Sequence, residues 1–440
     1  MNKVRLLKHY ILTKYGRKFH SRHEIENYQN KKIKKHLDFI VEKSPFYRSL
    51  YLEYETELKT NHWRKLPIID KAMMMEQFDL FNTVGIKKEE ALNLAFSAEK
   101  TRDFSPKINN ISIGLSSGTS GNRGLFLVSD KESEMWAGTV LAKLLPGSLL
   151  NTHRIAFFLR ANNNLYSSTE NGKITFHYFD LLDDFQSHKT RLQDIQPTIM
   201  IGPPSMLRKI AEWQAEHQLH ISPTKIISVA EVLEDIDKKF IEAVFKQQLH
   251  QVYQCTEGFL ATTCKHGTLH INEDLVAIQK EYLDRERGIF VPIITDFTRI
   301  TQPIIRYRLN DILIERKTPC PCGSQFLALE RIDGRSDDLF YGERYGEKEK
   351  KVLFPDFIRR AVMLASEHIL EYKVIQKELN LIEVKIKVEQ KNHEQEVKER
   401  IRMELIKLWK SFHLIEPTIS FSDYNILPSD KKLKRIESRL

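Results

Sequence analysis

Two hydrophobic rhythms divide the chain. Residues 37–110 read as mainly helical, interrupted at Leu66-Pro67-Ile68-Ile69-Asp70-Lys71, where Pro67 breaks the helical period and Asp70 can cap the next helix. From 111 to about 300, apolar runs of strand length alternate with helical segments. Leu125 to Val128 is one such run, closed by Ser129-Asp130 as a helix cap. Ile199-Met200-Ile201-Gly202-Pro203-Pro204 ends a second strand in a turn, Ser205 to His217 reads as a helix, and Lys225 to Ala230 as the next strand. That order predicts βαβ units, a largely parallel sheet covered by helices.

The rhythm changes near Gly334-Arg335-Ser336-Asp337-Asp338. Beyond it the pattern reads helix, strand, strand, helix, strand: Phe354 to Ser366, Glu371 to Lys377, Leu381 to Val388, Glu394 to Phe412 and Thr418 to Ser422. The alternation of Leu381-Ile382-Glu383-Val384-Lys385-Ile386-Lys387-Val388 suits a strand with one wet face. The expected fold class is α/β: a large domain of mixed, largely parallel sheets and helices, then a small α+β domain. The expected units are a basic helical segment 1–36, a large domain 37–334 and a small domain 335–440.

At 440 residues two or more domains are expected. The longest apolar stretches, such as Ile155-Ala156-Phe157-Phe158-Leu159, are strand-sized, which argues against a membrane-spanning helix. No signal-peptide core follows the basic N-terminus, and a cytoplasmic protein is expected.

Charge is unevenly placed. Residues 1–36 carry eleven Lys/Arg against Glu24 and Glu26, a surplus of nine that equals the net +9 of the whole chain. Val4, Leu7 and Ile11 share a helical face there, with Lys3, Arg5, Lys8 and Lys14 around it. Such a helix either packs its apolar stripe on the body of the protein or grips an acidic partner, an anionic lipid surface or nucleic acid.

Leu115-Ser116-Ser117-Gly118-Thr119-Ser120-Gly121-Asn122-Arg123-Gly124 carries the first chemistry. Glycines let a backbone approach an anion, and hydroxyls add donors beside the N–H groups, so this loop suits phosphates. The same composition also makes a plain linker. It lacks the Gly-Lys-Ser/Thr ending of the common nucleotide loop, which disfavours a Walker-type NTPase.

Four further clusters come next in order: Ser228-Val229-Ala230-Glu231, Tyr253-Gln254-Cys255-Thr256-Glu257-Gly258, Pro303-Ile304-Ile305-Arg306-Tyr307-Arg308-Leu309-Asn310-Asp311 and the Gly334-Arg335 cluster. Together with the loop they resemble the adenylate-forming superfamily of acyl-CoA synthetases, luciferases and adenylation domains. Within it the likeness is to phenylacetate:coenzyme A ligases, through Thr256-Glu257, the run Cys264 to Asp274, Pro-Ile-Ile-Arg-Tyr, Cys320-Pro321-Cys322-Gly323 and Gly-Arg-Ser-Asp-Asp.

The resemblance implies roles. Ser117, Thr119, Ser120 and Gly121 would hold the outer phosphates of ATP, with Arg123 the one cation of the loop, since the lysine frequent there is missing. Ala230 and Glu231 match the adenine-side segment, and Tyr253 would stack on adenine. Thr256 would bond the α-phosphate, and Glu257 would hold magnesium, which prefers hard oxygen ligands. Asp311 would accept the ribose hydroxyls, Arg335 would reach the ribose, and Asp337 matches the hinge of a mobile small domain. Each also has a structural reading: Asp311 and Asp337 as caps, Glu257 as a buried acid paired with an Arg, Tyr253 as a core aromatic.

Near the C-terminus, Lys432 with Arg435 fits the family's lysine that bridges substrate carboxylate and α-phosphate; Lys431 stands where glycine is usual, and Lys434 competes for the assignment. Gln254 and Asn310 also replace family glycines, which leaves open a degenerate nucleotide-binding member. Cys320 and Cys322 with Cys264 and either His266 or His270 could make a tetrahedral zinc site, while Cys255 would line the pocket.

The implied activity is ATP-dependent adenylation of a small carboxylic acid, then transfer to a thiol, coenzyme A or a carrier protein; an amine or hydroxyl acceptor is the alternative. The acid pocket is expected from segments 135–160, 200–205 and 228–260, whose aromatics, including Trp136, Phe157, Phe158 and Phe259, favour an apolar or aromatic acid. No specific nucleic-acid partner is expected, and a homodimer stays open.

Overall fold

The computed structural model describes residues 2–116, 124–159, 173–181, 183–344, 346, 350–425 and 433–440. A mixed sheet of twelve strands runs through the large domain. Its parallel part is Ile174–Asp180, His153–Leu159, Ile199–Gly202, Lys225–Ser228 and Leu249–Cys255 in spatial order. Alternation along these strands sorts their side chains between two helical layers. Ile155, Phe157, Ile199, Ile201 and Ile227 face the helix Asp130–Leu144, packing with Ala137 and Leu141. Ala156, Phe158, Met200 and Ile226 face the opposite layer, with Met206, Leu207 and Ile210 of the helix Pro204–Ala215.

Past Leu249–Cys255 the sheet turns antiparallel, through Gly258–Thr263, Leu269–Ile271, Ala328–Arg335, Asp311–Glu315, Ile289–Asp296 and Val276–Asp284. The parallel run is therefore shorter than the βαβ reading to residue 300 expects. Thr256 and Glu257 alone separate the first two of these strands, far too few residues for a crossover helix. A separate three-stranded antiparallel sheet holds Ile111–Leu115 and Leu125–Ser129, which flank the Ser/Gly-rich loop. Ser129 caps the adjoining helix Asp130–Leu144, in a reciprocal capping box with Glu132, worth about 1 kcal/mol.

The basic N-terminal segment is not a unit of its own. The helix Arg22–Lys43 runs straight through position 36 and buries Ile25, Ile33, Leu37 and Ile40. Nor does the stripe Val4, Leu7, Ile11 pack on the body: those three are exposed, and Leu6 and Tyr10 on the other side of the helix Lys3–Ile11 are buried instead.

The small domain is a four-stranded sheet in the order Thr418–Asp423, Leu381–Val388, Ile369–Glu378, Ile436–Ser438. The helices Pro355–Ala365 and Glu394–Ser411 cover it, with Tyr372, Ile382, Val384, Ile401 and Trp409 in its core. Buried ion pairs fasten it to the large domain. Arg435 bonds Asp237 through Nη2 at 2.7 Å, and Arg359 pairs with Glu234 and Asp333. Removing one partner of such a pair leaves an uncompensated buried charge, so its loss is costly.

Candidate active site

Eight of the residues singled out from the sequence, Ala230, Glu231, Tyr253, Thr256, Glu257, Asp311, Arg335 and Asp337, line one cavity of about 1200 Å³, together with Cys255 and Phe259. Sheet geometry brings them together. The turn between Leu249–Cys255 and Gly258–Thr263 presents Thr256 and Glu257. Asp311 and Arg335 are cross-strand partners on neighbouring strands.

Tyr253 donates its hydroxyl to Asp311 Oδ2, and Arg335 Nε lies 3.7 Å from Asp311 Oδ1. Asp311 is thus a strand residue rather than a cap. Asp337 sits in the turn Ser336–Asp338 that leaves the large domain and accepts Asn310 Nδ2 at 2.8 Å. Burial, then the negative charges of Asp311 and Glu257, push the hydroxyl of Tyr253 and the thiol of Cys255 well above their ordinary ranges. Tyr253 is 7% exposed and joins the core cluster, so its ring serves core and cavity at once.

Glu257 is held by neutral donors. Thr256 Oγ1 donates to Oε2 at 2.8 Å, and the Tyr307 hydroxyl to Oε1 at 3.2 Å. Among the described residues it has no salt-bridge partner, unlike a buried acid paired with an Arg. A carboxylate fixed by hydroxyls rather than by a contacting cation fits a hard divalent cation. Glu231 links three segments: Oε2 accepts Ser205 N at 3.3 Å, Oε1 accepts Leu433 N at 2.9 Å, and its own position follows Ala230, whose φ of +69° is left-handed.

Ser117, Thr119, Ser120, Gly121 and Arg123 lie outside the described residues, as do Lys431 and Lys432. Their flanks are defined. Ser116 N bonds Gly124 O, and Gly124 N bonds Ser116 Oγ, both at 2.7 Å, closing the base of the loop. Leu433, the first described residue after Lys432, is bonded at the cavity wall through Glu231. Lys434 is taken up by Asp338 at 2.9 Å and Arg435 by Asp237, so neither points its charge at the cavity.

The structure adds a residue that sequence reasoning missed. Lys71 lines the cavity, with Nζ 3.4 Å from Ser116 Oγ at the base of the loop. Burial lowers its pKa, while Glu257 and Asp337 raise it and Arg335 lowers it, so all four charges share one field. Gly124 makes room for it, since a Cβ there would stand 2.9 Å from Lys71 Cε. The Pro-Ile-Ile-Arg-Tyr strand puts it there. Ile69 N bonds Arg306 O at 3.0 Å, Arg308 N bonds Ile69 O at 2.8 Å, and the Arg306 guanidinium grips Leu66 O. The one signal in the sequence was Asp70, which caps the helix Lys71–Glu76 by accepting Met73 N.

A second cavity of about 190 Å³ adjoins the first, sharing Trp136, Leu159, Ala230, Val252 and Gln254. Val140, Leu144, Phe157, Phe176 and Ile201 add to its apolar wall, and among the described residues no charged side chain lines it. Trp136 and Phe157 thus stand where the acid pocket was expected, and Phe259 lines the larger cavity. Phe158 does not: one residue along the strand it faces the other layer, stacked on Phe179 at 4.5 Å.

Asp296 also lines the larger cavity. Burial raises its carboxyl to about 6, against hydrogen bonds from the Thr298 backbone and hydroxyl at 2.8 and 2.6 Å. A raised acid favours the fold when protonated, so its contribution is complete below the unfolded value and lost as pH rises through about 6. Asp296→Asn is therefore expected to be more stable than wild type at pH 8, by roughly 3 kcal/mol at most, and so to melt higher, with the two curves converging towards pH 4. Paired thermal melts across that range check it; a constant offset at every pH would contradict it.

The cysteine cluster lies apart from both cavities. Cys264, His270, Cys320 and Cys322 place one ligand atom each within 4.8 Å of one another. His270 Nδ1 bonds Phe326 O at 3.0 Å and leaves Nε2 3.4 Å from Cys322 Sγ, the orientation a metal-binding imidazole needs. His266 is not part of the group. Despite burial, hydrogen bonds involving Thr268, Cys322 and His270 bring the Cys320 thiol down to about 6, while burial and then the Cys320 and Cys264 sulfurs push Cys322 up to about 11. Three sulfurs and one imidazole are a donor set that suits zinc.

No protein-family model matches the chain. Over 95% of this chain and 90% of the other, it superposes on 2-hydroxyisobutyryl-CoA ligase in its postadenylation state in complex with 2-HIB-AMP, at a TM-score of 0.70 and 16% identity. This is the fold of the adenylate-forming ligases. The same ligase in its thioesterification state gives a lower TM-score, 0.57. Among curated sequences, this chain is 23% identical over 219 residues to protein CapK of Staphylococcus aureus, covering 49% of this chain and 47% of CapK. It is 28% identical over 231 residues to indoleacetate–lysine synthetase of Pseudomonas savastanoi, covering 49% of this chain and 56% of that enzyme. The chain thus spans about half the length of the curated relatives it matches.

Proposed function

We propose that the chain uses ATP to adenylate a small carboxylic acid. The observation that carries this reading is the convergence of Lys71, Glu257, Asp311 and Arg335 on a single cavity beside the Ser/Gly-rich loop. Asp311 would accept the ribose hydroxyls, with Arg335 beside it, and Tyr253 would border the adenine together with Ala230 and Glu231. Thr256 would bond the α-phosphate. Glu257 would hold magnesium, which when bound neutralises phosphate charge. A carboxylate oxygen attacks the α-phosphorus, the bond to the β-phosphate breaks, and pyrophosphate leaves. Ser117, Thr119, Ser120 and Gly121 would hold the outer phosphates through this step, with positive charge from Lys71 and Arg123.

Lys432 would stabilise the charge that develops between carboxylate and α-phosphate. Its support is the docking of Leu433 on Glu231 and the engagement of Lys434 and Arg435 elsewhere. The higher similarity to a postadenylation state suits a small domain held over the first half-reaction, with Asp337 as its hinge. Cys264, His270, Cys320 and Cys322 would hold a structural zinc.

The adjoining apolar cavity would take the acid's tail. Apolar cavities of about 150 Å³ accommodate benzene, so about 190 Å³ suits one ring with a short linker or a chain of similar bulk, without charge. The acyl group then passes to a thiol, coenzyme A in the first instance, which attacks the acyl carbon and displaces AMP. The likeness to phenylacetate:coenzyme A ligases supports a thiol; that to indoleacetate–lysine synthetase favours an amine as second reading. Pyrophosphate release from ATP is expected with monocyclic aryl or medium-chain acids and not with dicarboxylates. Repeating the assay with coenzyme A or lysine identifies the acceptor by which one accelerates AMP formation. No release with any acid would defeat the proposal.

A further inference from the structure

The helix Lys3–Ile11 and the turn Leu12–Gly16 after it have two unlike faces. The inner face is fastened. Leu6 and Tyr10 are buried against the helix Asp130–Leu144, where Gly138 admits the backbone so closely that a Cβ would stand 2.3 Å from Leu6 O. Arg5 pairs with Glu134, Arg17 with Asp274 at 3.3 Å, Arg22 with Glu273, and Lys14 reaches Gly147 O.

The outer face is the reverse of what an ordinary surface helix shows. Val4, Leu7, Ile11, Leu12 and Tyr15 recur at the spacing of one stripe, and they are 78, 46, 48, 39 and 62% exposed. Exposed Lys3, Lys8 and Lys18 flank them, and among the described residues none of the three meets a carboxylate. Exposed Lys31, Lys34 and Lys35 follow on the helix Arg22–Lys43. Beside them burial, then the positive charges of Arg17, Lys35 and Lys31, lower the pKa of Lys32. The arginines of the segment, suited to gripping phosphates one by one, are mostly spent inward, and the lysines and aliphatic side chains are left outside.

We propose that this outer face docks on an anionic lipid bilayer, the aliphatic stripe entering the headgroup boundary and the lysines remaining at the level of the phosphates. Aliphatic side chains gain nothing against a polyanionic nucleic acid, whereas they lose water against acyl chains, and long lysine stems reach back to the headgroups. A second copy of the chain would bring two positively charged faces together, which opposes self-association.

The test uses the full chain with phosphatidylcholine vesicles and with vesicles of phosphatidylcholine and phosphatidylglycerol in equal parts. Cosedimentation is expected with the anionic vesicles only and declines with added salt. Leu7→Ser with Ile11→Ser, and separately Lys3→Glu with Lys8→Glu, are each expected to weaken it at least tenfold while the melting temperature stays unchanged, since all four side chains are exposed. Binding to neither vesicle, or binding that survives both double variants, overturns the proposal. A dimer in sedimentation velocity that the serine pair dissociates would overturn it too, as would binding of a DNA oligonucleotide that only the lysine pair abolishes.

Discussion

Lys71→Ala is expected to lower kcat/KM for pyrophosphate release by about 10²–10³-fold, the usual cost of removing one preorganised electrostatic partner of a developing charge. The Ser/Gly-rich loop has no lysine of its own, and Lys71 enters from another segment to the base of that loop, 3.4 Å from Ser116 Oγ. Its burial and its neighbours Glu257, Arg335 and Asp337 mean that its charge acts in a partly desolvated site, where electrostatic interactions are least screened. Most of the loss should appear in kcat and in the KM for ATP, not in the KM for the acid, whose tail is proposed to occupy a separate cavity. Lys71→Arg should restore part of the rate, limited by the room beside Gly124. A melting temperature close to wild type is required, because the side chain is only half buried and the segment is held by backbone bonds to Arg306 and Arg308. Unchanged kinetics in Lys71→Ala would remove this residue from the phosphate site and return the burden to Arg123.

Removing the metal expected at Cys264, His270, Cys320 and Cys322 should lower the melting temperature by roughly 5–10 °C, the result of losing a tightly bound ligand of the folded state. The four residues join the turn after Gly258–Thr263 and the strand Leu269–Ile271 to the loop before Ala328–Arg335. That last strand ends in Arg335, opposite Asp311. Loosening the cluster should therefore weaken ATP binding indirectly, although no member of it touches the cavity. Cys320→Ser and chelation should have the same effect on melting, and metal analysis of the purified chain should find one zinc per chain. A chain with no zinc, whose melting is indifferent to both chelator and Cys320→Ser, would show that these are merely reduced thiols.

Much of the site was legible because its elements are local. Thr256-Glu257 is a two-residue turn between strands, and Cys320-Pro321-Cys322-Gly323 is a tight turn presenting two thiols. Leu381–Val388 was readable to the residue, since only one of its faces, Ile382, Val384 and Ile386, meets a core. The basic stretch at the C-terminus hid the strand Ile436–Ser438, whose three residues pair in parallel with Val374 to Gln376 and carry too little pattern of their own.

Periodicity assigned faces without saying which face would be covered. It placed Val4, Leu7 and Ile11 on one side of a helix, and the neighbour Asp130–Leu144 decided that Leu6 and Tyr10 would be the buried side. It made Phe157 and Phe158 equal candidates, and the helices on either side of the strand sent one to the apolar cavity and the other to the opposite core. By itself, then, the sequence determined the fold class, the order of the motifs and the three cysteines of the cluster, while the structure chose His270 over His266. Tertiary structure alone decided that Lys71 stands beside Ser116, because its place depends on backbone bonds to a strand more than two hundred residues away. Local pattern encodes what a segment can form, but the partner that buries or aims it is a property of the whole chain.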